Sequence, residues 1–211
     1  MNQPDNELPV HQYESIIDGI LNEGYGIVDD FLSADEVASL AQQLHHRRQA
    51  GQFRVAGIGN EQVTVQTAIR GDEILWIDEA TATPDEAAFL SRVNTFMQYV
   101  NQTCFLGLRD YEFHYALYPP GTFYKRHLDQ FRSDSRRKLS VICYLNADWQ
   151  ETDGGQLALY LPRADGSEQL IRVNPTGGRL VCFESARLEH EVLPATRERL
   201  SLTGWLKTAG W

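Results

Sequence analysis

The chain has 211 residues, 42% of them hydrophobic, and a formal net charge of −10. That length supports one domain with a full core, and the acidic balance speaks against nucleic acid as a direct ligand, because a phosphate backbone normally needs a basic face. No apolar run approaches the roughly 18 residues needed to span a bilayer. The three isolated cysteines, Cys104, Cys143 and Cys182, show no paired spacing, which argues against a disulfide framework and for a reducing, cytoplasmic setting.

In chain order, residues 1–10 are polar and read as a frayed end without the basic and apolar regions of a secretory signal. HQYESIIDGILN (11–22) carries Ile16, Ile17, Ile20 and Leu21 at helical spacing. GYGIVDDFL (24–32) reads as a short strand. Ser33 with Glu36 forms a capping box before a helix over 34–49, whose buried stripe includes Leu40 and Leu44. A loop with Gly57 and Gly59 leads into EQVTVQTAIRGDEILWID (61–78), strand-like with a break at Gly71. Thr83-Pro84-Asp85 starts a helix over about 85–103, with Phe89, Leu90, Val93, Phe96, Met97 and Val100 as its apolar face. Short strands follow at 111–119, 138–146, 155–162, 168–173, 178–185 and 199–206, separated by Pro, Gly, Asp and Asn. Helices first and many strands later imply an α+β chain, mainly β, with helices packed on one side of an antiparallel barrel or sandwich.

Strand parity sorts the faces. Arg199, Ser201, Thr203 and Trp205 share one side of the last strand, while Leu200, Leu202 and Leu206 share the other. Ser140, Ile142 and Tyr144 fall together, as do His114, Ala116 and Tyr118. An interior with Arg199, two tyrosines and Thr203 suits a small polar ligand. An inward guanidinium needs an anion, since burying it unpaired costs several kcal/mol. Arg197 competes for that role, but parity with Thr203 and Trp205 favours Arg199.

His127-Leu128-Asp129 places two ligand-type side chains two residues apart, pointing the same way on an extended segment. A second imidazole from downstream, His190, completes two imidazoles and one carboxylate on one face of a metal, the set that leaves open positions in a non-haem Fe(II) oxygenase. His-x-Asp alone occurs by chance in many proteins, and the downstream context gives it weight. His114 is a rival ligand on paper, but its aromatic strand reads as core. Around the motif, YKRHLDQFRSDSRRK (124–138) holds Lys125, Arg126, Arg132, Arg136, Arg137 and Lys138. This basic cluster is either an attractor for an anionic cosubstrate or acidic partner or a solvated loop.

GYGIVDDFL, IRGDEILWID, YKRHLD, CYLNADW before GGQLALY, and HEV-x-PA followed by R-x-x-x-T-x-W occur in this order between about residues 24 and 206. Together they resemble the Fe(II)/2-oxoglutarate dioxygenases, and specifically the prolyl hydroxylases of the oxygen-sensing type. The resemblance implies a distorted double-stranded β-helix, or jelly roll, over about 111–206, supported by N-terminal helices packed on one sheet within about 1–103. It implies Fe(II) on His127, Asp129 and His190. It puts the far carboxylate of 2-oxoglutarate on Arg199 and Tyr144, in a pocket lined also by Tyr118, Thr203, Ile142 and Leu157. It implies substrate contacts at Arg70, Asp72, Trp76, Trp205 and Arg137. The chemistry implied uses O2, with ascorbate as a reductant, and hydroxylates a proline in a protein, for which a translation factor or ribosomal protein is the candidate. Asp129 argues against the halogenase variant, where a small residue makes room for halide. The loop before Arg70 is shorter than in the animal enzymes, and that loop helps choose the protein substrate. Two other readings stay open: an oxygenase of a small molecule such as a free amino acid, and a non-catalytic sensor of iron or 2-oxoglutarate.

Overall fold

Alternation of apolar side chains along the C-terminal half builds two antiparallel sheets facing each other across an interior. The computed structural model describes residues 10–57, 66, 68–130 and 134–209. The expected frayed end up to residue 9, Gly59, the strand expected over 61–65 and Arg132 lie outside the described residues.

Helix α1 (Val10–Glu23) buries Tyr13 and Ile16 and half-buries Ile17 and Ile20, whereas Leu21, expected on the same stripe, is 74% exposed. Strand β1 (Tyr25–Val28) stops short of the expected 24–32, with Asp30 turning the chain at φ 58°. Helix α2 (Ala34–Gln49) starts from the expected capping box: Glu36 accepts from the Ser33 amide at 2.8 Å and Ser33 Oγ accepts from the Glu36 amide at 3.3 Å. Helix α3 (Pro84–Cys104) repeats the device with Thr83 and Glu86, and Pro84 occupies a first-turn position where no intrahelical donor is lost. Each capping glutamate also clamps the other helix, Glu36 to Arg92 at 2.6 Å and Glu86 to Arg47 at 2.7 Å.

Between α2 and α3 lie β2 (Arg54–Val55) and β3 (Glu73–Trp76), the part of the 61–78 segment that forms a strand. After α3 come β4 (Leu108–Tyr118), β5 (Tyr124–His127), β6 (Arg137–Tyr144), β7 (Leu157–Pro162), β8 (Glu168–Val173), β9 (Leu180–Glu184), β10 (Glu189–Val192) and β11 (Arg199–Thr208). One sheet runs β1-β9-β6-β11-β4-β3-β2 and the other β5-β10-β7-β8. The helices cover the outer face of the larger sheet, where Phe113, Tyr115, Leu117, Val141, Cys143 and Leu202 pack against Phe89, Val93 and Phe96. The inner face carries Ala116, Tyr118, Ile142 and Tyr144, which meet Leu157 and Leu159 of the smaller sheet. This is the jelly roll of the resemblance, with helices on one sheet. Among the described residues no helix is long and apolar enough to cross a membrane.

Candidate metal centre and cosubstrate pocket

Strands β5 and β10, four residues each, lie side by side in the smaller sheet with His127 directly opposite His190. Each imidazole is tied through Nδ1 to a carbonyl two residues back, His127 to Lys125 O at 2.7 Å and His190 to Leu188 O at 3.2 Å. With Nδ1–H donating to these carbonyls, both Nε2 lone pairs are left toward the interior. There they face Asp129, at 3.5 Å from Oδ1 and 3.5 Å from Oδ2 respectively. The three ligand-type atoms lie within 4.8 Å of one another. Ser140 on β6 donates its hydroxyl to Asp129 Oδ2 at 2.6 Å and meets Ser185 Oγ at 2.9 Å, which fixes the carboxylate plane. Burial pushes the Asp129 carboxyl up, but His190, His127 and the Ser140 hydroxyl outweigh it and hold it well below the usual carboxylate range. Burial pulls His190 down to about 4 against the opposing pull of Asp129. At neutral pH the group therefore offers a carboxylate and a neutral imidazole ready to ligate.

Arg199 opens β11 opposite Tyr118. It is 1% exposed, its Nε donates to Gly155 O at 2.8 Å, and its Nη2 has no partner. Its guanidinium stands 5.2 Å from the Tyr118 ring centre and 5.0 Å from that of Tyr144. Burial pushes both phenols up, so both keep their proton. The Tyr144 hydroxyl, like Arg199 Nη2, is buried without a partner. Gly155 (φ +66°) is required here, because a Cβ would come within 3.2 Å of Arg199 Cδ and 3.0 Å of Trp149.

A cavity of about 460 Å³ joins these two ends. His127, Asp129, His190, Arg199, Tyr118, Thr203, Ile142 and Leu157 all line it, while Tyr144 stands behind Arg199 and does not. Of the expected substrate contacts, Arg70, Trp76, Trp205 and Arg137 reach the wall. Asp72 does not: it is wholly buried and accepts both arms of the Arg70 guanidinium, at 2.6 and 2.8 Å. Its substrate role is therefore replaced by a supporting one, since a buried carboxylate beside a guanidinium pairs with it first. Arg70 in turn covers Tyr124 (4.6 Å), whose ring stacks on His127 at 3.6 Å. Arg137 covers Trp205 at 3.4 Å and binds Glu112.

The basic cluster is largely neutralised in the fold. Arg126 pairs with Glu168 and Glu189, Arg136 with Asp134 and Arg137 with Glu112, so its described arginines form ion pairs rather than a free cationic patch. Ser140, Tyr124 and His114 also belong to the cavity or its support, and none was singled out for such a role from the sequence. Parity already set Ser140 beside Ile142 and Tyr144 on the inward face, the one signal available for it. His114 is buried as expected for core, but it lines the cavity.

A jelly roll enclosing two imidazoles, one carboxylate and a buried arginine defines the class of non-haem metal oxygenases that use an acidic cosubstrate. Residues 113–207 match the 2OG-Fe(II) oxygenase superfamily. A prolyl-4-hydroxylase of Pseudomonas putida is 43% identical, superposes with a TM-score of 0.82, and is matched over 100% of its length by 94% of this chain. The chain belongs to the 2OG-Fe(II) oxygenase superfamily. A prolyl hydroxylase solved with a hypoxia-inducible-factor oxygen degradation domain peptide from Trichoplax adhaerens superposes with a TM-score of 0.82 at 27% identity, over 96% of this chain and 95% of that one. The hypoxia-inducible factor prolyl hydroxylase of Caenorhabditis elegans is 29% identical across 91% of this chain, which spans 28% of that protein, and human Egl nine homolog 1 is 28% identical, with 46% spanned. The chain thus spans half or less of these two curated relatives.

Proposed function

We propose that this chain is an Fe(II)- and 2-oxoglutarate-dependent hydroxylase acting on a proline within a protein. The observation that carries it is one cavity with two complementary ends: three ligand-type atoms within 4.8 Å at one, and a wholly buried arginine with an unpartnered Nη2 at the other. Two imidazole nitrogens and a carboxylate suit Fe(II) and leave coordination positions open. The orphaned Arg199 Nη2 and Tyr144 hydroxyl suit the far carboxylate of a keto diacid. Bound iron supplies the redox chemistry, in which O2 gives one oxygen atom to 2-oxoglutarate, released as succinate and CO2, and the other to a substrate C–H.

The protein's own groups bind, orient and shield. His127, Asp129 and His190 hold the metal, with the Lys125 and Leu188 carbonyls and Ser140 fixing their orientation. Arg199 sets the depth of the cosubstrate, flanked by the aliphatic walls Ile142 and Leu157 and the polar edges Tyr118 and Thr203. Trp76, Trp205, Arg70 and Arg137 border the remaining space, where the substrate enters. The reading of that substrate as a protein is supported by the Trichoplax enzyme's peptide complex and the Pseudomonas likeness. For the partner we infer a component of the translation apparatus, and for the compartment the cytoplasm, in keeping with the wholly buried free thiols of Cys143 and Cys182.

Mass spectrometry of cell proteins with and without the gene tests this. The expected outcome is one added oxygen atom on a proline, lost in His127→Ala. Succinate release driven by free proline, with no modified protein, would instead favour a small-molecule oxygenase.

A further inference from the structure

One polar side chain in the cavity wall has no task in the proposed reaction. His114 on β4 stands opposite Trp76 of β3 and Thr203 of β11. It lies outside the three-residue ligand group. Its ring stacks on Trp205 (5.5 Å, 29°) and sits 4.9 Å from Trp76. With 2% of its surface exposed, its Nδ1 is buried and has no partner, and the same holds for Nε1 of Trp205. A hydrocarbon or phenyl side chain would fill this place without orphaning a polar atom. Burial, with Arg70 and Arg137 adding to it, holds the imidazole well below its usual pKa, so at neutral pH one ring nitrogen carries a hydrogen and the other a lone pair. Trp205 Nε1–H can only donate. Two neighbouring rings of the wall therefore carry one atom able to accept and one able to donate.

A residue in an extended chain presents its own N–H and C=O on the same side, as in a hydrogen-bonded antiparallel pair. Proline has no N–H, so the residue that fits this pair is a neighbour of the target proline. Resting on the hydroxylase reading above, we propose that His114 is a specificity-determining residue that reads the main chain beside the target proline: Nδ1 accepts the N–H of one flanking residue while Trp205 Nε1–H donates to that residue's carbonyl. Free proline has no such flanking residue and leaves both atoms unsatisfied, which selects peptide over amino acid.

The test uses the peptide converted fastest from a proline-centred library, and two versions N-methylated at the residue before or after the proline. Wild type is expected to bind one N-methylated version about three- to tenfold more weakly, the worth of one neutral hydrogen bond. His114→Phe, which keeps the stacked ring, raises KM for the parent peptide by a similar factor and shows no preference between the versions. His114→Asn, whose amide falls near the Nδ1 position, recovers part of the preference, and His114→Gln does not. Dissociation constants of the same peptides with Zn(II)-loaded protein, which cannot turn over, follow the same order, while KM for 2-oxoglutarate stays put. The inference is overturned if His114→Phe keeps the N-methyl preference, or if it weakens 2-oxoglutarate by the same factor as peptide. A wild type that releases no succinate with any library peptide brings down the hydroxylase reading and this inference together, whereas an active wild type matched by His114→Phe brings down this inference alone.

Discussion

At the scale of single residues, Arg199 combines a cost to the fold with a use in binding. Its guanidinium is wholly buried, with Nε satisfied by Gly155 and Nη2 without a partner. Replacing a buried ion pair by apolar side chains of similar volume is often neutral or stabilising by about 1–4 kcal/mol, and Arg199, with no ion pair among the described residues, carries the desolvation cost without the pairing. Arg199→Met is therefore expected to raise Tm of the ligand-free protein by a few degrees while weakening 2-oxoglutarate about 10- to 100-fold, the worth of a lost charge-assisted hydrogen bond. Scanning calorimetry of the ligand-free variant and titration of 2-oxoglutarate into its Mn(II)-loaded form check the two signs, and a parallel loss of stability and binding would contradict the account. Ser140 makes a second residue-scale case. Its 2.6 Å bond aligns Asp129 without touching the candidate metal position, and such supporting bonds are worth about 10- to 100-fold in metal affinity. Ser140→Ala is expected to weaken Mn(II) by that factor in a metal titration, with 2-oxoglutarate affinity measured at saturating metal unchanged.

At the scale of elements, what the sequence discloses depends on strand length. β11 runs ten residues, so its alternation alone is long enough to set Arg199 and Thr203 inward and Leu200 and Leu202 outward. β5 and β10 have four residues each, most of them charged or histidine, and four residues carry no readable period. Their pairing, which sets His127 against His190, comes from the surrounding sheet rather than from their own composition. Asp72 and Tyr124 were illegible for another reason: one side chain's partner decides its role, and Arg70 lies between them in space. The helices were readable because their caps are local, yet the local motif conceals that Glu36 and Glu86 each also hold an arginine from the other helix. Glu86→Ala removes the glutamate half of the α3 capping box, leaving the Thr83 hydroxyl bond in place, and strands the part-buried Arg47. A loss of about 2–3 kcal/mol is expected, seen as a fall in Tm of roughly 5–10 °C in a thermal melt, with Mn(II) affinity intact at lower temperature.

For the molecule as a whole, the same buried imidazoles make stability depend on pH. His114 sits well below the ordinary histidine value of 6.5 and His190 at about 4, both chiefly through burial. Below pH 6.5 the unfolded chain binds protons at these two sites that the metal-free fold refuses. The unfolded state then carries more protons than the native one, so unfolding free energy rises with pH and falls on acidification, by up to about 1.4 kcal/mol per pH unit for each histidine. Asp129 has the opposite perturbation: held below the carboxylate range, it stabilises the fold fully above its unfolded value of about 4 and loses that contribution only in stronger acid. Between about pH 5 and 6.5 the slope therefore belongs largely to the histidines. In His114→Phe the linkage at that position disappears, and chemical denaturation of metal-free protein across this window should show a clearly shallower slope than wild type. An unchanged slope would mean that His114 takes up its proton in the native state, contrary to a ring buried against Trp76 and Trp205 in the cavity wall.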